Sequence, residues 1–259
     1  MILCYAQASP QCFDKNIAFH EGEIVKYQVY YNWGFIWLNA GFVEFKVKPA
    51  TYLDRQVYYF DSYGASHTSY DWIFKVRDRY QAYLDKETLL PLWFKRENYE
   101  GGFEVNNEYS FDHEKNLVYS STENSEQPFS RDTIEVPLCT YDVLTFVYRC
   151  RNLDFSNLKI GDTIQINSIL DNEIFTLYIR YLGRETIETR RGEKYRCIKF
   201  SALLIEGTIF KGGEDMFVWI TDDDNRIPVL VEAKILIGSV KAYLESVTGV
   251  RNSMNAFIE

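Results

Sequence analysis

The residues able to do chemistry are sparse and scattered. Three histidines, His20, His67 and His113, fall on separate predicted loops or strand starts, with no His-x-x-x-His pair. Zinc sites need ligands at short, regular spacings, so no metal site is expected from them. Asp222-Asp223-Asp224-Asn225 lacks the ligand spacing and distal Glu of an EF-hand. It reads instead as a solvated hairpin turn whose side chains bond the backbone. There is no Gly-x-Ser-x-Gly elbow, no Ser-x-x-Lys and no phosphate-binding glycine loop. The glycines of Gly207 to Gly213 sit between strands and mark a turn. A Cys–His nucleophile needs a polar, partly exposed thiol, whereas Cys150 and Cys197 lie on apolar patterns that predict burial. Among 37 acidic residues, Glu21 and Glu23 with Asp222 to Asp224 form the cluster to inspect for a glycosidase-type carboxyl pair.

Aromatic residues carry more information. Tyr30, Tyr31, Trp33, Phe35 and Trp37 fall within eight residues, and Tyr70, Trp72 and Phe74 follow. Such a group either closes one end of a β core or forms a hydrophobic mouth or sugar-stacking platform. The candidate ligand-binding residues are therefore Tyr31, Trp33, Phe35, Trp37 and Trp72. Arg149 and Arg151 join them as side chains able to meet an anionic head group or pair with acidic neighbours.

The elements that must position these groups are mostly strands. Val25, Tyr27, Val29, Tyr31 and Trp33 alternate with polar residues, as do Val43, Phe45 and Val47. Period-two alternation predicts two half-buried strands, joined through the aromatic segment 33–37 and an Asn39-Ala40-Gly41 turn. Further strands are predicted from 57 to 121, and again from Ile164–Leu170 through Ser239–Thr248, with Gly and Asp pairs at the turns. Residues 66–75 read as one or two helical turns or a bulged crossing. Residues 121–132 read as the longest surface loop. One helix is predicted over 140–153, capped by Thr140, with an apolar stripe of Val143, Phe146, Val147 and Cys150 at i, i+3, i+4 and i+7.

The fold expected is mainly β: a highly curved antiparallel sheet, or partly open β-barrel or roll, of about 12–14 strands packed on one central helix. No Pro/Gly/Ser-rich linker divides it, so residues 9–249 form a single β-rich domain and 250–259 a loose tail. Residues 1–8 resemble the end of a signal peptide, with Ala6-Gln7-Ala8 as the small-x-small cleavage pattern. Cys139 and Cys150 bracket the helix at roughly 16 Å, too far to bridge. Cys12 with Cys139 is the disulfide to test, and buried thiols throughout are the other reading. A net charge of −9 excludes a nucleic-acid backbone as partner. No run of apolar residues is long enough for a transmembrane helix.

Four segments carry a family resemblance: GEIVKYQVYYNWGFIWLNAG (22–41), YLDKETLLPLWFKRENYEGGF (83–103), TYDVLTFVYRCRNLDF (140–155) and VWITDDDNRIPVLVEAKILIGSVKAYL (218–244). In order and spacing the chain resembles the exported bacterial domain-of-unknown-function family 3108 (DUF3108), in its Bacteroidetes-like form. The resemblance implies a β-rich fold with one central helix and a periplasmic or outer-membrane-associated location. It implies no activity and no catalytic residues. Without a catalytic constellation or cofactor, the expected function is a non-enzymatic envelope protein binding an amphiphilic or lipid-like ligand in an apolar cleft between sheet and helix. A structural or assembly module binding an envelope protein or polysaccharide is the second reading, and a glycan hydrolase the third.

Overall fold

Alternating β-branched and aromatic residues run through most of the chain, and they fold it into one open, mixed sheet. The structure, a computed structural model, describes residues 12, 15–204, 213–235 and 238–258. The expected leader remnant at 1–8 and the turn at 207–212 lie outside them. Strands β1 (Ile24–Trp33), β2 (Ile36–Tyr52), β3 (Arg55–Ser66), β4 (Val76–Asp85), β5 (Pro91–Glu100), β6 (Phe103–Asp112), β7 (Leu117–Asn124) and β8 (Ser130–Glu135) make an antiparallel meander. A second series follows: β9 (Thr140–Tyr141), β10 (Thr163–Leu170), β11 (Glu173–Glu188), β12 (Lys194–Leu204), β13 (Gly213–Thr221), β14 (Pro228–Lys234) and β15 (Ser239–Thr248). It ends with β15 beside β1, so the sheet order is β8 through β1, then β15 back to β9, 15 strands among the described residues.

The sheet's two edges, β8 and β9, are consecutive in the chain. Four residues separate them, and a chain reaches at most about 3.6 Å per residue. The edges therefore lie within roughly 18 Å of one another, and the sheet must curl almost shut. Side chains bridge the seam. Asp171 and Asn172, both at positive φ, form the two-residue β10–β11 turn that such hairpins favour. Asn172 Nδ2 donates to Asp132 Oδ2 of β8 at 3.0 Å, and its backbone N–H donates to the Tyr109 hydroxyl of β6 at 3.2 Å.

Several details differ from the sequence expectation. The first hairpin turns at Gly34-Phe35, and Asn39–Gly41 continues β2. Tyr30 pairs with Asn39 and Val29 with Gly41, so Ala40 is a bulge that bends the strand rather than a turn. Residues 66–75 contain a 3₁₀ turn (Thr68–Tyr70) and a one-turn helix α1 (Asp71–Phe74). The expected loop 121–132 is mostly β7 and β8; β8 is a polar edge strand, paired through its backbone and carrying no apolar alternation to betray it.

The expected central helix is shorter, α2 (Val143–Arg151). Thr140 belongs to β9, parallel to β10, and Asp142 is the cap: its carboxylate accepts from the N–H groups of Leu144 and Thr145, both at 2.9 Å. Its buried residues are Leu144, Thr145, Tyr148, Cys150 and Arg151; of the predicted stripe Cys150 is buried, Val143 and Phe146 are half-buried and Val147 is exposed. Leu144 and Tyr148 enter a cluster with Phe19, Phe60, Ala82, Phe94 and Tyr109. The Tyr148 and Phe60 rings stack at 3.8 Å.

Arg151 is 4% exposed and its partner Glu23 1%. The guanidinium meets the carboxylate through both Nη atoms, at 2.6 and 2.8 Å. It also donates to the carbonyls of Ala18 at 3.1 Å and Asn225 at 2.9 Å. Asn225 in turn holds Asn252 through both its side-chain groups, at 2.9 and 2.8 Å. The segment after Gly249, expected as a loose tail, is thereby fastened, and Tyr195 bridges to Phe257. Cys12 and Cys139 form a disulfide that ties the N-terminal arm to the β8–β9 link, while Cys150 and Cys197 are buried free thiols. No helix among the described residues is long and apolar enough to cross a membrane.

Replacing Arg151 by Met leaves the Glu23 carboxylate buried without its counter-ion. The unfolding free energy in urea should fall by about 3–5 kcal/mol, with part of the loss recovered in the Glu23→Gln, Arg151→Met double variant. Reduction of the Cys12–Cys139 bridge, which closes 127 residues, should cost about 2–4 kcal/mol in the same titration.

Candidate functional site

The two halves of the curled sheet are filled differently. Against β3 to β7 buried aromatic and aliphatic side chains form one cluster; between α2 and the strands β1, β2 and β11 to β15 there is a hollow. The hollow is a cavity of about 270 Å³. The inward residues of alternating strands build its wall: Val25 and Tyr27, Val43 and Phe45, Ile179, Phe200 and Ala202, Met216 and Val218, Val231, and Ala242. Helix α2 supplies Phe146, Val147, Tyr148, Cys150 and Arg151. Of the predicted apolar stripe, Phe146, Val147 and Cys150 face the hollow, while Val143 packs against the cluster that holds its neighbour Leu144. Burial pushes the Cys150 thiol up to about 12, so it behaves as a small apolar group rather than a nucleophile. Burial likewise raises the Tyr27 and Tyr148 phenols.

Of the seven candidate ligand residues, Arg151 lines this cavity, and its polar end is committed to Glu23 and two carbonyls. The others lie elsewhere. Phe35, at the first hairpin turn, is 93% exposed, and Trp72, on α1, is 83% exposed with its indole N–H donating to the Ser69 carbonyl at 3.0 Å. The Trp37 ring carries the Arg190 guanidinium at 5.3 Å and the Lys241 ammonium at 5.4 Å. Tyr31 and Arg149 are half-buried, on β1 and α2 respectively. The side chain of Trp33 lies outside the described residues. Geometry explains the separation. Glu23, clasped by Arg151, stands at one end of β1 and the aromatic turn at the other, about 30 Å away at 3.3 Å per residue.

Sequence reasoning missed a cluster of inward polar side chains near the cavity. Paired residues across the sheet run Val43, Gly64, Asp78, Asn98 in one row and Phe45, Ser62, Tyr80, Arg96, Asn107 in the next. These are interior rows, so the wall turns from apolar at β2 to polar at β4 and β5. Asn98 Nδ2 donates to the Tyr80 hydroxyl at 2.6 Å, and Asn107 Nδ2 to Asp171 Oδ1 at 3.0 Å. Arg96 pairs with Asp171. Three buried atoms here have no partner: Asp78 Oδ1, Asn98 Oδ1 and Arg96 Nε. Desolvation, reinforced by the neighbouring Glu100 carboxyl, pushes Asp78 up to about 7, and desolvation raises Glu100 too. The signal in the sequence was Asp78 on the inward face of β4, between Val76 and Tyr80.

The carboxyl cluster singled out from sequence is structural. Glu23 pairs with Arg151, Glu21 with Lys86 and Asp222 with Arg184. Asp223 accepts from the N–H groups of Asn225 at 3.1 Å and Arg226 at 3.3 Å, the backbone-bonding turn the residue types suggested. Asp78 and Glu100 are in hydrogen-bonding reach of each other, whereas glycosidases keep their carboxyls about 5–9.5 Å apart. Among the described residues, no group of three or more His, Cys, Asp or Glu is placed to hold a metal ion.

Comparison with known proteins adds fold and family. The crystal structure of a beta-barrel-like protein of the domain of unknown function DUF1849 from Brucella abortus matches with a TM-score of 0.58 at 8% identity. The match covers 89% of this chain and 99% of that one, and at this identity it is a likeness of fold. No curated protein matches the chain. A family model described as a protein of unknown function (DUF3108) matches residues 26–245.

The raised Asp78 carboxyl sets a pH dependence. Its folded pKa of about 7 exceeds the ordinary 3.8, so the folded chain holds a proton that the unfolded chain has released. Stability from this group is complete below about pH 4 and is lost as pH rises through about 7. Asp142, pushed up to about 6 by burial, acts in the same sense, and His113, lowered by burial, acts in the opposite one. Urea midpoints at pH 5 and pH 8 should therefore fall more steeply in the native chain than in Asp78→Asn.

Proposed function

The chain belongs to the family DUF3108, one of unknown function, and from that premise we propose that it is a non-enzymatic carrier that shelters the apolar chain of an amphiphile in the cavity beside α2. One observation carries this reading. Protein interiors are normally packed solid, yet here an almost wholly apolar wall lines a half-open hollow of about 270 Å³. That volume is just under the ~300 Å³ at which small-molecule sites begin, so the cavity takes one alkyl chain or ring and leaves the rest of the ligand outside. Hydrophobic transfer supplies the affinity, at roughly 0.8 kcal/mol per buried methylene.

The carrier works outside the cytoplasm, in the periplasm or at the outer membrane. The Cys12–Cys139 bridge supports this, because disulfides persist in oxidising compartments. A second reading, docking onto an envelope protein or polysaccharide, is favoured by the exposure of Phe35 and Trp72. Lost partner recovery from outer-membrane extracts by a Phe35→Ser, Trp72→Ser variant would favour it.

For the carrier reading, native mass spectrometry of the purified chain should show a bound amphiphile released by organic extraction. Filling the hollow with Ala242→Trp should weaken binding of 1-anilinonaphthalene-8-sulfonate at least tenfold while circular dichroism is unchanged, and Trp37→Ala should leave it intact. A probe affinity indifferent to Ala242→Trp would remove the cavity as the site.

A further inference from the structure

The polar cluster lies two strands from the cavity wall. Val43 of the cavity wall pairs with Gly64, and Gly64 pairs with Asp78. At about 4.8 Å per strand, the carboxyl-bearing residue is roughly 10 Å from the apolar wall. The position between has no side chain. A Cβ on Gly64 would come within 3.3 Å of Val43 Cγ2, tighter than ordinary contact.

Charge and open valences in the cluster point one way. Asp78 and Glu100 form no ion pair among the described residues, and Arg96, the cation nearest in effect, is already matched by Asp171. Two acceptors, Asp78 Oδ1 and Asn98 Oδ1, are buried without a donor. Asn98 is only 9% exposed and Arg96 7%. Buried polar atoms are nearly always paired, so these acceptors call for a donor from outside the chain. A primary ammonium has three donors and no acceptor, which matches two carboxyls and one amide carbonyl. The free Arg96 Nε–H offers a bond to an oxygen adjacent to the amine.

We propose that Asp78, Glu100 and Asn98 bind the ammonium head of an amine-bearing amphiphile whose apolar chain is directed toward the cavity. The chain's destination rests on the carrier reading above; the head group does not. At neutral pH the carboxyl pair holds a proton, and an incoming ammonium displaces it. Affinity should therefore rise as pH passes through about 7, until the amine loses its own proton near ~10. The groups facing Asp78 are Glu100 and Arg96 from β5, Tyr80 from its own strand, Asp171 beyond Arg96 at the β10–β11 turn, and Gly64 and Ser62, uncharged, from β3.

Calorimetric titration of the full chain with decylamine, 1-decanol and decanoate, below their micellar concentrations, tests this at pH 6 and pH 8. Decylamine should bind at least tenfold more tightly than decanol, and several-fold more tightly at pH 8 than at pH 6, releasing a proton at pH 6. Asp78→Asn and Glu100→Gln should lower decylamine to the decanol level while leaving decanol unchanged, which shows that the cavity is intact. Equal affinity for decylamine and decanol, or decylamine binding unmoved by both substitutions, would overturn the head-group assignment and leave the carrier reading standing. Failure of all three ligands to bind would overturn both.

Discussion

The fold depends on one buried ion pair. Arg151 closes α2 and reaches Glu23 before β1, the carbonyl of Ala18 in the N-terminal arm, and the carbonyl of Asn225 in the β13–β14 turn, which itself grips Asn252. The N-terminal arm, α2 and the β13–β14 turn meet at one guanidinium. A pair removed from water is no sure source of net stability, because desolvation offsets much of the attraction. Its contribution here is geometric: the fork has one low-energy arrangement, and that arrangement sets where α2 lies inside the curl. Phe19 and Tyr148 flank the cation at 5.8 and 5.5 Å and exclude water from it.

Once α2 is fixed, the difference between the two halves of the interior follows. Tyr148 and Leu144 fill the side toward β3 and β4, where aromatic rings interlock. The opposite side receives Phe146, Val147 and Cys150, which line the hollow together with residues of β13 to β15. Beyond it, at β4 and β5, the same inward rows become polar.

Much of the strand plan was legible because alternation is a local signal. Ser239–Thr248 and Leu89–Glu97 could be read within a few residues of β15 and β5. What escaped was set by pairing or by three-dimensional closure. β8 has no alternation, because an edge strand is held by backbone bonds alone. Thr140 looked like a cap and became a strand, since parallel pairing with Asn167 is invisible in sequence. The burial of Arg151, formally the most polar residue of its turn, escaped because its partner lies 128 positions away. For the site, the density of aromatics near Trp33 drew attention to a hairpin tip. The polar cluster at Asp78 rests on three strands brought side by side, and a lone inward carboxyl gives little warning of that.

The ladder between β1 and β15 lies at the middle of the sheet, yet it joins nearly the first and nearly the last strands made. During synthesis β1 to β8 can zip up by local hairpins, but the flank of β1 that will receive β15 stays bare until the final strand leaves the ribosome. Contacts of such long loop closure are slow to form, and an open strand edge is an invitation to other chains. The architecture thus postpones its most central join to the last moment, and the nascent chain needs shelter for that flank throughout its elongation.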